Sequence, residues 1–180
     1  MISSDEKPSV GLKLTEGFVS LQKLLPMKAH LLEMFAFNQR ANERMIDLLG
    51  ELQDPQAVVR LLGHLIHSQN KWLARIRSYP ESVDMDWWEP TLPAAELREA
   101  LARSTQAWLE FLQNKTEEEL TSEIRFHASN GSEWVCVLQD IALQLIFHSF
   151  HHRAQMQTLL RAEGSTPPFI DYIGEKYRRV

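Results

Sequence analysis

Apolar side chains recur every three to four residues along four long stretches of the chain, the spacing that places them on one face of an α-helix. These stretches cover about residues 26–49, 54–78, 93–114 and 138–162. Pro26 and Pro55 suit the first turns of two of them, and Gly164 suits the end of the last. The pattern therefore predicts an all-α fold, a four-helix bundle.

The segment before the last long helix has a different pattern. Asn130-Gly131 lies between Ile124-Arg125-Phe126 and the apolar run Trp134-Val135-Cys136-Val137, and this dipeptide is typical of a tight turn between two β-strands. We expect a small hairpin or irregular insert there. Just upstream, Thr116 and Glu119 have the spacing of a helix capping box, which predicts one short extra helical turn.

The chain divides by pattern into two parts. Residues 1–25 show only weak periodicity and predict an N-terminal extension. Residues 26–180 contain all four strong helical stretches and predict one domain, the four-helix bundle.

Charge and composition narrow the choice of function. The 180 residues carry a formal net charge of -5. Nucleic acid is therefore an unlikely partner, because proteins that bind nucleic acid concentrate Lys and Arg on their surface. Cys136 is the single cysteine, so no intrachain disulfide can form. The chain start lacks the apolar core of a signal peptide, and no apolar run reaches the ~18 residues of a membrane span. We expect a cytoplasmic protein with no membrane partner.

Helical phase separates the seven histidines. His148 and His152 lie one turn apart on the apolar side of the last helix, and His64 lies beside the apolar stripe of the second. His67 and His151 point away from these faces. Three neutral imidazoles that leave positions open are typical of a catalytic metal site, whereas the alternative is a set of core histidines satisfied by hydrogen bonds.

Other polar and aromatic residues leave alternatives open. The catalytic residues are unknown, because the candidate bases Asp171, Glu33 and Glu43 are equally typical of surface carboxylates. Gln155 can hydrogen-bond near the site or simply pack. Arg153 can meet an anionic group of a substrate; the alternative is a solvated face or a contact with a helix end. Trp72 is expected in the core, and Trp87 and Trp88 are expected at the mouth of a pocket.

Two motifs together resemble a known family. His64 precedes Trp72 by eight residues, and the segment from His148 to Gln155 reads H-S-F-H-H-R-A-Q, similar to H-x-x-H-H-R-G-Q, with Ala154 in place of the glycine. Over about residues 26–175 the chain resembles the DinB-like (YfiT-like) metalloenzymes, which are named after a DNA-damage-inducible protein. The resemblance implies a four-helix bundle, often a homodimer.

The resemblance also implies a cofactor and an activity. A divalent metal ion is expected on His64, His148 and His152, with zinc or nickel first and iron also possible. The implied function is a metal-dependent enzyme, a thiol S-transferase or a hydrolase acting on a small molecule, with a low-molecular-weight thiol as partner in the first case. The alternative is a non-catalytic metal-binding protein of the stress response.

Overall fold

Four long helices form the body of the protein in the computed structural model, which describes residues 26–179. The expected extension, residues 1–25, lies outside the described part. In chain order the elements are α1 (Met27–Asp47), α2 (Gln56–Ile76), α3 (Leu97–Gln113), α4 (Glu117–Leu120), β1 (Glu123–His127), β2 (Glu133–Val137) and α5 (Leu138–Ala162). Short 3-10 turns occupy Leu49–Glu51, Pro80–Val83, Ala94–Glu96 and Tyr172–Glu175. The prediction of an all-α bundle with a small hairpin before the last helix is confirmed.

The core fills the space between the apolar faces of the long helices. α1 packs on α3 and α5, and α2 packs on the same two helices. Trp108 is fully buried, stacks on Phe35 with ring centroids 5.1 Å apart, and donates its indole N–H to the Gln69 carbonyl at 2.9 Å. None of the helices in the described range is long and apolar enough to cross a bilayer.

The helix ends follow local signals, with one difference from the sequence pattern. Thr116 and Glu119 form the predicted capping box of α4, and the Gln56 N–H donates to Asp54 at the start of α2. The third helix was expected to begin near Pro93, but α3 begins at Leu97 after a 3-10 turn. Proline 93 has extended backbone angles, so the first residues after it form the tighter turn that often precedes an α-helix.

The hairpin is antiparallel, with Glu123 opposite Val137 and His127 opposite Glu133. Its loop is one residue longer than the Asn130-Gly131 pair alone predicts, because Ala128 and Ser132 still share a hydrogen bond across it. Gly131 has a φ of 81°, as expected for the left-handed residue that closes a three-residue hairpin loop. β2 continues into α5 without a linker, so the hairpin fixes where the last helix begins.

Candidate metal centre

Three histidines meet between α2 and α5. His64 comes from α2, and His148 and His152 come from successive turns of α5. The Nε2 atom of His148 lies 3.0 Å from Nε2 of His64 and 2.9 Å from Nε2 of His152. The helical phase of the sequence predicted this grouping, and in the described residues these three form a cluster that could hold a metal ion.

Two of the rings are oriented by hydrogen bonds on their opposite nitrogen. Nδ1 of His64 lies 2.8 Å from the Trp87 carbonyl oxygen, and Nδ1 of His152 lies 2.7 Å from Oε1 of Gln155. Since an oxygen of this kind only accepts, each Nδ1 carries the proton and donates it. Each Nε2 therefore keeps the lone pair that a metal ligand needs.

Burial keeps the three imidazoles neutral. It lowers the pKa of His148 to about 4, with the nearby His152 and His64 contributing in the same direction. Burial also lowers the pKa of His64 and of His152 below the ordinary 6.5. At neutral pH the cluster is thus uncharged, which is the protonation state that binds a cation.

Two of the three donor separations fit a single transition-metal ion. Bonds of about 2.0–2.1 Å from imidazole nitrogen to zinc place two ligand nitrogens about 2.9–3.4 Å apart, for bond angles between a right angle and the tetrahedral angle. The two Nε2 separations from His148, 3.0 and 2.9 Å, lie in this range. Imidazole suits zinc, nickel, copper and iron, so the donors select this group of metals over magnesium or calcium.

A cavity of about 230 Å³ opens beside the cluster. Its lining consists of two of the histidines, two tryptophans and three residues of α2 and α5, namely His64, His148, Trp72, Trp87, Ser68, Gln144 and Leu145. Trp88 stacks on the His64 ring with centroids 3.8 Å apart. As expected, Trp87 and Trp88 fold back over the site. Trp72, expected only in the core, is half-buried and forms part of the cavity wall.

The DinB family model matches residues 27–179 of the chain. The chain belongs to the DinB family. Among solved structures, the chain is similar to the crystal structure of a DinB-like protein from Bacillus cereus ATCC 10987, with 22% identity and a TM-score of 0.53. The match covers 78% of this chain and 95% of that one, and it shows a shared fold. No curated protein matches the chain.

Two of the three carboxylates considered as general bases have other partners in this DinB-family chain. Glu33 pairs with Lys176, and Glu43 accepts a hydrogen bond from Gln39 at 2.8 Å. Asp171 is exposed and accepts a hydrogen bond from the Gly174 N–H through its backbone carbonyl. None of the described contacts of these three carboxylates involves a clustered histidine. The cavity beside the cluster is also lined without a carboxylate.

Arg153 differs from both expectations for it. The side chain is 1% exposed and lies in the core between α1 and α5, so neither a substrate contact nor a solvated face is correct. Its guanidinium donates to Ser149 at 2.7 Å and to Asn42 at 3.0 Å, and it lies 4.5 Å from the centroid of the Phe150 ring. Amide and hydroxyl oxygens accept hydrogen bonds from the cation here. The sequence indicates this environment only through the polar positions on the inner face of α1.

Proposed function

We propose that His64, His148 and His152 bind one divalent metal ion and that the centre is the active site of a thiol S-transferase. The observation that carries the proposal is the convergence of three neutral Nε2 atoms next to a cavity of about 230 Å³. Zinc or nickel is the expected metal, with iron as a further possibility. The substrate is a small electrophile and the partner is a low-molecular-weight thiol.

A bound divalent ion would supply Lewis acidity, which deprotonates a thiol at neutral pH. The residues of the chain do the rest. The Trp87 carbonyl and the Gln155 side chain hold two ligand rings in place. Trp72 and Trp87 give the cavity apolar walls that exclude water, while Gln144 and Ser68 offer hydrogen-bonding groups to a bound molecule. The Ser68 hydroxyl is buried and has no partner among the described residues, so it is available to orient one.

Among residues 26–179, no carboxylate lines the cavity, and this favours thiol transfer over hydrolysis. A hydrolase must take a proton from the attacking water during the reaction and commonly uses a positioned base for this. A thiol has a pKa of about 8.5 and is readily ionised by a metal alone. Transfer then forms one S–C bond, breaks the bond from that carbon to its leaving group, and releases the thiol proton to solvent.

Metal analysis of the purified, untagged protein tests the ligand set. We expect about one divalent ion per chain in the wild type and less than a tenth of that in His152→Ala. His151→Ala is the matched control, because His151 is the next residue on the same helix but is exposed and outside the cluster. Equal metal content in His152→Ala and His151→Ala would refute the assignment.

Activity requires a second experiment that separates an enzyme from a metal-binding protein without catalysis. The metal-loaded protein is incubated with cysteine or glutathione and chlorodinitrobenzene, and thioether formation is followed by absorbance. We expect turnover that disappears in His152→Ala and persists in His151→Ala. In the cobalt-substituted protein, added thiol should produce a sulfur-to-metal charge-transfer band. A full complement of metal with neither turnover nor this band would favour the non-catalytic alternative.

A further inference from the structure

A second cavity, of about 250 Å³, lies at the C-terminal end of α2 and shares no lining residue with the cavity beside the histidines. Three elements form its walls: the last turn of α2, the 3-10 turn Pro80–Val83, and β1. Its polar lining includes Arg75, Ser78, Ser82, Arg125 and His127. Two arginines and a histidine thus line one small volume in a chain whose net charge is -5.

Arg75 is the most unusual of these residues. It is 6% exposed, forms no ion pair with any described residue, and has a buried Nε without a hydrogen-bond partner. Its guanidinium lies 5.0 Å from the ring centroids of Trp72, Trp87 and Phe126. Aromatic faces offset only part of the cost of removing a cation from water. An anion in the cavity would offset the remainder.

The surroundings leave the positive charge of the cavity largely uncompensated. Arg125 has a side chain that is 67% exposed, and its one carboxylate contact in the described residues is Glu133 at 3.9 Å. At the C-terminal end of α2, the Leu73, Ala74 and Arg75 carbonyls accept N–H groups of the following residues. Those carbonyls do not point unpaired at the cavity.

We propose that this cavity binds a small anion through a phosphate group, with Arg75 and Arg125 as charged donors and the Ser78 and Ser82 hydroxyls as neutral donors. The donors come from three separate walls, which suits the tetrahedral arrangement of phosphate oxygens. A planar carboxylate can engage one guanidinium in this way but not donors on every side. The site does not depend on the proposed metal centre, since the two cavities have separate linings.

Titration with inorganic phosphate tests the site in the full chain, with ionic strength held constant by chloride. Amide signals of Ser78, Ser82 and Arg125 should shift together and saturate, with an apparent Kd of about 1 mM or tighter. The indole N–H of Trp87 should shift with them, because Arg75 lies on its ring. The indole of Trp108, bonded to the Gln69 carbonyl in the core, should not move. Acetate should bind at least about tenfold more weakly, since it lacks the tetrahedral oxygens.

Substitutions separate a built site from general attraction between charges. Arg125→Ser removes an exposed donor and should weaken phosphate binding by about tenfold or more while the protein remains folded. Arg161→Ser is the matched control, because Arg161 is exposed, lies outside the cavity lining and pairs with no carboxylate among residues 26–179. Arg75→Lys keeps the positive charge but loses the paired N–H donors of the guanidinium group, and it should also weaken phosphate binding.

Three results would overturn the proposal. The first is a set of shifts that grows linearly with phosphate and never saturates. The second is an equal loss of affinity in Arg125→Ser and Arg161→Ser, which would mean that phosphate responds to overall charge. Equal binding of acetate and phosphate would likewise reject a phosphate site. In that case Arg75 serves only to pack against three aromatic rings.

Discussion

Gln155 and Trp87 each contact one histidine of the cluster through a single hydrogen bond, Gln155 through its side-chain amide oxygen and Trp87 through its backbone carbonyl. Groups in this position set the tautomer and the ring orientation of a ligand histidine. The Gln155 contact follows from its place three residues after His152 on a regular helix. The Trp87 contact could not be predicted, because it comes from the backbone of an irregular loop without periodicity.

Replacing Gln155 with Leu should weaken zinc binding by about 10- to 100-fold, since His152 loses the acceptor that fixes its tautomer. Competition with a chromophoric chelator measures the affinity. Gln157→Leu provides the comparison on the same helix, because its amide donates to the Pro168 carbonyl at 3.2 Å and does not reach the histidines. If the two variants bind zinc equally well, Gln155 does not orient the site.

The lowered pKa of His148 predicts a pH dependence of stability in the metal-free protein. Its folded pKa of about 4 lies below the ordinary 6.5, so the unfolded chain binds protons more readily between these values. The free energy of unfolding should be unaffected above about pH 6.5 and should decrease as the pH falls toward 4. Urea denaturation of the chelator-treated protein at about pH 7 and about pH 5 checks this.

Urea denaturation of two variants at the same pH values tests whether His148 causes the decrease in stability. His148→Gln should show a smaller decrease in stability between the two pH values, since the titrating group is gone. His151→Gln, a substitution at an exposed histidine, should keep the decrease of the wild type. An unchanged decrease in His148→Gln would place the pH dependence elsewhere.

At the level of elements, α2 ends at Ile76, and the nearby Ser78 has a φ of 57°. This is the left-handed region, where glycine is usual after a helix and other residues are strained. The Tyr79 N–H returns to the Ala74 carbonyl at 3.0 Å, which completes the helix end. A serine in this position directs a hydroxyl group to the second cavity at a cost in stability.

Ser78→Gly should therefore raise the free energy of unfolding by about 0.5–1 kcal/mol, because glycine adopts this conformation without strain. Chemical denaturation gives the value. Ser78→Ala is the companion variant: it removes the hydroxyl but keeps the strain, so no comparable gain is expected. A gain of the same size in alanine would show that the hydroxyl, and not the backbone, lowers stability.

The order and type of the elements could be predicted from the sequence, since long periodic stretches and capping residues determine them locally. The start of α3 and the length of the hairpin loop could not, because the backbone angles of Pro93 and Gly131 decide them. The burial of Arg153 was also missed. A pattern of apolar and polar positions assigns an arginine to solvent. Here Asn42 of α1 and Ser149 of α5 accept hydrogen bonds from the buried guanidinium.

At the level of the whole molecule, the division at residue 25 and the homodimer remain predictions. The family match begins at residue 27. Large apolar side chains stay exposed on the hairpin and on α5, among them Trp134 at 58% and Phe147 at 62%. A second copy of the chain covering such residues would be consistent with the dimer that the family resemblance implies.

A chain that starts at Pro26 should fold and bind about one metal ion, as proposed for the full chain, because the elements that hold the three histidines all lie after this position. Circular dichroism and metal analysis compare the two forms. A truncated chain that loses helical content would show that residues 1–25 belong to the domain.

The segment between α2 and α3 provides the Trp87 carbonyl that holds His64, the Trp88 ring that covers it, and part of the cavity wall. The three histidines themselves lie on helices. Selection can therefore alter the side chains of this loop, and with them the molecules that fit, without altering the helices that supply the histidines. For protein engineering, the same loop is the place to redirect specificity, provided that a carbonyl remains within hydrogen-bonding distance of His64.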